Sequence, residues 1–105
     1  MSNHEFDRQK WAALSLFEQM GNIGSEVGRA MSAMRRGDDA SLSGAYRRGL
    51  DLIDASLGSL SQPRKRELLR AREEFSRAVE NQQVDSGLEM YFMEYAIAAR
   101  MRKIA

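Results

Sequence analysis

Three clusters of helix-breaking residues punctuate a 105-residue chain otherwise dominated by helix formers: Arg36-Gly37-Asp38-Asp39, Leu57 through Pro63, and Asn81 through Gly87. Each cluster carries turn or helix-start chemistry. Asp38 or Asp39 can cap the segment that follows. Ser61 stands two residues ahead of Pro63, which a first helical turn tolerates, and Ser86 with Glu89 forms an S-x-x-E capping box. No segment alternates β-branched residues with period two, so strands are not expected. The pattern predicts an all-α fold, an antiparallel four-helix bundle-like single domain over 1–105, with helices at about 7–35, 40–57, 62–80 and 87–103. Short loops between them make consecutive helices antiparallel neighbours.

Composition narrows the chemistry. The chain has no Cys and one His, which removes disulfides, thiolate metal sites and cysteine nucleophiles and most zinc and di-iron centres. His4 falls in a segment expected to fray, where it is solvated rather than catalytic. HEPN-type ribonucleases place a His a few residues after an Arg on one helix, and no His follows position 4. The longest stretch without a charge runs only from Ala55 to Pro63, too short for a transmembrane helix, and the first residues lack the basic start and apolar run of a signal peptide. A reducing cytoplasm is the expected location. Net charge is +1, so no global field draws the chain to nucleic acid or a membrane. Thirteen of the 16 basic residues are Arg, a bias that base composition explains more simply than an arginine-lined surface does.

The first segment has a clean apolar stripe through Ala13, Leu16, Met20, Ile23, Val27, Met31 and Met34. Gly21, Gly24 and Gly28 interrupt it, each costing about 1 kcal/mol against Ala. Their spacing suits close approach of another helix of the same chain, with a kink near Gly21 or pairing between chains as alternatives. The second segment buries Leu42, Ala45, Tyr46, Gly49, Ile53 and Leu57. In the third, Arg72 falls between Leu68 and Phe75 on the apolar stripe. Its stem either snorkels outward or pairs inside with Glu26 or Glu94.

The last segment is apolar on two sides. Leu88, Tyr91, Phe92, Tyr95, Ala96 and Ala99 share one side, and Met90, Met93, Ile97, Met101 and Ile104 lie roughly opposite. Such a helix needs cover on both sides, which a chain this small can hardly supply. Trp11 and Leu14 fall off the main stripe of the first segment and join these as expected interface residues.

Other candidate sites are weaker. The run Arg64, Lys65, Arg66, Arg70 and Arg72 could bind an anion, because cations in a helix's first turn oppose the dipole and so do not serve local stability. No aromatic residues interleave with it, and a solvated surface is the simpler reading. Asp51 and Asp54 could hold magnesium, but Arg47 and Arg48 beside them favour ion pairs. Glu26, Arg72 and Arg100 could meet as a structural polar network or an anion pocket. No catalytic residue, metal site or cofactor is assigned.

Two resemblances accompany these readings. Gly37-Asp38 followed by Leu42, Tyr46, Gly49, Leu50 and Leu52 looks like half of a tetratricopeptide unit, but no 34-residue repeat recurs and a generic helical hairpin suffices. More specifically, Asn22-Ile23-Gly24-Ser25-Glu26-Val27-Gly28-Arg29-Ala30, the hairpin through Tyr46 to Asp54, the Leu68 to Glu73 segment and Tyr91-Phe92-x-x-Tyr95-Ala96-x-Ala98-Ala99-Arg100 follow one pattern. It resembles a family of small, uncharacterised all-helical prokaryotic proteins with no established activity, over roughly residues 14–100. A looser likeness in fold size is to the helical partners of minimal nucleotidyltransferases. The expected function is non-enzymatic assembly, with self or another helical protein as partner. The alternatives are a binding subunit for a nucleotidyltransferase or nucleic acid through the basic run, and a magnesium-dependent nucleotide hydrolase.

Overall fold

The computed structural model describes residues 7–104, with side chains for 7–101, so His4 and the side chain of Ile104 lie outside the described residues. Among the described residues five helices follow one another: α1 Arg8–Ala12, α2 Leu16–Arg36, α3 Asp39–Leu57, α4 Gln62–Glu80 and α5 Ser86–Ile104. No strand is present among the described residues. The radius of gyration, 13.7 Å, agrees with the ~13 Å of a compact 100-residue domain.

The single first helix expected over 7–35 is instead two. Ser15 leaves helical geometry and closes a capping box with Glu18: its hydroxyl accepts the Glu18 N–H at 3.1 Å and its own N–H donates to Glu18 Oε1 at 3.0 Å. Asp7 caps the short α1 by accepting the N–H groups of Gln9 and Lys10. The break swings Trp11 into the core, where it is 7% exposed and its indole N–H donates to Ser56 Oγ at 3.0 Å. Gln19 Nε2 donates to the Trp11 carbonyl at 2.8 Å and locks the corner. Trp11 is therefore an anchor between α1 and α3, not the exposed interface residue its position off the stripe implied. Leu14 is half-buried against the same core.

The breakers act as expected at the next turn. Gly37 takes φ +69, the left-handed geometry that closes α2, and its N–H donates to the Met34 carbonyl. Asp38 then caps α3 through the N–H and hydroxyl of Ser41. The start of α5 differs from expectation. Asp85, not Ser86, is the cap, with Oδ1 accepting the Leu88 N–H at 2.9 Å, while Glu89 reaches across to Arg35 on α2.

Helix α2 is central, with α3 and α5 on either side and α4 against α3. Side chains from four helices meet in one core, among them Ile23, Val27 and Met31 of α2, Ile53 of α3, Phe75 of α4 and Phe92 of α5, all 1% exposed or less. Two glycines admit these rings. A Cβ on Gly49 would stand 2.8 Å from Phe75 Cε2, and one on Gly24 would stand 2.6 Å from Phe92 Cβ. Gly21, against Ala96, and Gly24, against Phe92, thus seat α5 within the chain, and α2 runs unbroken through Gly21, Gly24 and Gly28.

Candidate interaction face on the last helix

One side of α5 is held firmly. Leu88 and Phe92 are 2% and 1% exposed. One turn on, the rings of Tyr91 and Tyr95 pack edge to face with centroids 5.4 Å apart. Both hydroxyls donate to the same oxygen of Glu67 on α4, Tyr95 at 3.0 Å. The Tyr91 hydroxyl holds the Glu67 carboxyl below its ordinary range, with smaller help from Tyr95, Arg64 and Arg70 and against partial burial. Burial, and then the bond to Glu67, pushes the Tyr91 phenol up. At the N-terminal end of α5, Arg35 grips Glu89 through both terminal nitrogens, at 2.8 and 3.3 Å.

The opposite side is left open among the described residues. Met90, Met93, Ile97 and Met101 are 60%, 54%, 50% and 63% exposed. They step by three, four and four residues, which keeps them in one row along the helix. A groove of about 290 Å³ runs beside the row, between Met93, Ala96 and Arg100 of α5 and Gly24, Ser25 and Gly28 of α2. Arg100 and Glu94 border the row and make no ion pair among the described residues. A protein surface tolerates apolar side chains scattered singly, and a contiguous row of Met and Ile is a candidate contact surface.

The remaining sequence candidates are distributed differently from expectation. Glu26, Arg72 and Arg100 do not meet. Glu26 Oε2 takes Arg48 Nε at 3.1 Å and Arg29 at 3.3 Å, while Arg100 stands at the groove beside α2. Arg72 pairs with neither Glu26 nor Glu94; it forks onto Asp54 of α3 at 2.9 and 3.2 Å and is only partly exposed. That pairing engages the Arg72 guanidinium and both oxygens of Asp54. Arg64 and Arg70 lie close enough to Glu67 to lower its pKa, and Arg64, Arg66 and Arg70 are exposed while Lys65 is partly covered. No group of three or more His, Asp or Glu side chains is placed to hold a metal ion among the described residues. No helix of the described residues is long and apolar enough to cross a membrane.

Comparison with known proteins returned no matching family model, curated protein or solved structure.

Proposed function

We propose that this chain is a non-enzymatic, cytoplasmic assembly protein that pairs with a second copy of itself through the outer row of α5. The observation that carries the proposal is the half-exposure of Met90, Met93, Ile97 and Met101 on a helix whose other side is already buried. On this reading α2 to α5 form an antiparallel four-helix bundle whose uncovered side is completed by another protomer, as the resemblance to small prokaryotic helical proteins allows.

A second copy is the partner best matched to the row. Two-fold pairing requires a patch that complements itself. The row extends by four residues on either side of Ile97, to Met93 and Met101, and Glu94 and Arg100 stand three residues to either side. An antiparallel pair centred on Ile97 sets Met93 level with the second copy's Met101 and Glu94 level with the second copy's Arg100. Like charges are then staggered by six residues, about 9 Å along the helix. A parallel pair in register would instead set Glu94 level with Glu94. The antiparallel arrangement is favoured.

Sedimentation equilibrium over a range of concentrations tests the proposal. The wild type is expected to reach the mass of a dimer. The double variant M93D/I97D should remain a monomer with unchanged helical circular dichroism, because both residues lie on the outer side. Each lost apolar contact is worth about 1 kcal/mol and an unpaired carboxylate costs more, so association should weaken at least about a hundredfold. A wild-type protein that stays monomeric at about 0.5 mM, where even a weak pair of roughly −5 kcal/mol would be visibly populated, refutes the reading.

A further inference from the structure

A second surface, on the α2–α3 hairpin, gathers positive charge in a way that the packing of the hairpin does not require. Arg29 and Arg36 of α2 and Arg48 of α3 surround a groove of about 340 Å³ whose other lining residues, Ser32, Ser41 and Gly44 among them, are small. The three guanidiniums are held from behind. Buried Glu26 anchors Arg29 and Arg48 through one oxygen, and Ser32 Oγ accepts from Arg36 at 2.6 Å. Arg48 lies along its own helix over Gly44, where a Cβ would stand 3.1 Å from its terminal nitrogen. A glycine inside a helix is unfavourable, and at this position its absent side chain leaves the guanidinium its place.

The charges do not cancel. Against three cations stand Glu26, whose one bonded oxygen is shared by two of them, and Asp38, which is 3.5 Å from Arg36. Asp38 is also committed to the α3 cap, where the Ser41 hydroxyl and then the Ser41 N–H hold its carboxyl below the ordinary range. Arg48 bonds Glu26 through Nε alone, so its two terminal nitrogens remain to donate. Forked guanidiniums lining one groove from two helices match the oxygens of a tetrahedral anion, and the surplus of one positive charge favours an anionic ligand over a neutral one.

We propose that this groove binds a phosphate-type anion, either free phosphate or the terminal phosphate of an ester, with Arg29, Arg36 and Arg48 as its donors. The proposal is independent of pairing through α5. Isothermal titration calorimetry at low salt, with inorganic phosphate in one arm and adenosine 5′-monophosphate in the other, tests it. Saturable one-to-one binding is expected in at least one arm, and the tighter arm identifies the source. Arg36→Gln leaves the Glu26 pairs intact and should weaken binding by at least about tenfold, with circular dichroism and Tm as checks on folding. Arg48→Lys keeps the charge beside Glu26 but removes the fork, and should weaken it by about threefold or more. Arg70→Gln, on the exposed face of α4, should change nothing. Absence of saturable binding in both arms, or equal weakening by Arg70→Gln, overturns the assignment.

Discussion

At the scale of single residues, two glycines of one helix differ in what they do, and the difference can be measured. Gly24 is where α5 touches α2, and an added methyl would overlap Phe92 Cβ at 2.6 Å. Nothing lies within 4 Å of a Cβ on Gly28. Both substitutions to Ala gain about 1 kcal/mol of helix propensity. Only at Gly24 does overpacking of about 1–3 kcal/mol oppose that gain. Gly28→Ala should therefore raise the chain's stability by about 1 kcal/mol in urea denaturation, and Gly24→Ala should give no gain and lower it by up to about 2 kcal/mol. A Gly24→Ala variant as stable as Gly28→Ala would mean that α5 does not approach α2 as closely as described. Trp11 is a parallel case. Trp11→Phe keeps an aromatic ring but loses the bond to Ser56, and should cost about 1–3 kcal/mol with reduced protection of the α1–α2 corner in hydrogen exchange.

Among the elements, α4 and α5 are joined by one polar clasp, the carboxylate of Glu67 under the hydroxyls of Tyr91 and Tyr95. The Glu67 pKa is depressed in the folded chain from an ordinary value of 4.5. A depressed carboxylate stabilises the fold fully above the unfolded value and loses that contribution as pH falls through the folded one. The clasp should thus hold at neutral pH and loosen in acid, below pH 4.5. Glu67 is exposed, so solvent screening keeps the effect small. In the double variant Y91F/Y95F, the Glu67 titration followed by NMR should move up toward the ordinary range, and α5 amides should exchange faster at neutral pH. An unmoved titration would show that the hydroxyls do not set the carboxyl's pKa.

The helices themselves were largely legible in the sequence, and the exceptions have local causes. The ends near Arg36, Leu57 and Glu80 follow from Gly37, from the run up to Pro63, and from the polar turn after Glu80. The break at Ser15 was hidden because Ala12, Ala13 and Leu14 favour helix and the apolar stripe continues across it; Ser15-x-x-Glu18 was the available signal. Ser86 and Glu89 imitate the cap motif one residue after Asp85, so the sequence signal points to the wrong residue as the α5 cap. The row on α5 could be read from helical period alone. Pairings such as Arg72 with Asp54 could not, since they depend on the angle at which α4 lies on α3. The arginine groove was equally hidden, because Arg29 and Arg36 meet Arg48 only once the hairpin has closed.

For the whole molecule, five of the seven methionines form two contrasting groups whose chemistry reports on assembly. Met20 and Met31 are sealed in the core at 2% and 0% exposure, whereas Met90, Met93 and Met101 stand more than half exposed on the outer row of α5. Peroxide converts an accessible Met to a polar sulfoxide and leaves a buried one until the chain opens. In dilute solution the three outer residues should oxidise first by peptide mass mapping, with Met20 and Met31 following only under denaturing conditions. If two copies pair through the row, raising the protein concentration into the dimer range should slow oxidation of Met93 and Met101 several-fold relative to free Met added as an internal standard. Oxidised protein, purified and returned to high concentration, should then sediment as a monomer, since sulfoxides in an apolar seam carry unpaired acceptors into it. Equal oxidation rates at every concentration would instead leave the row open to water, and would count against the second copy as its cover.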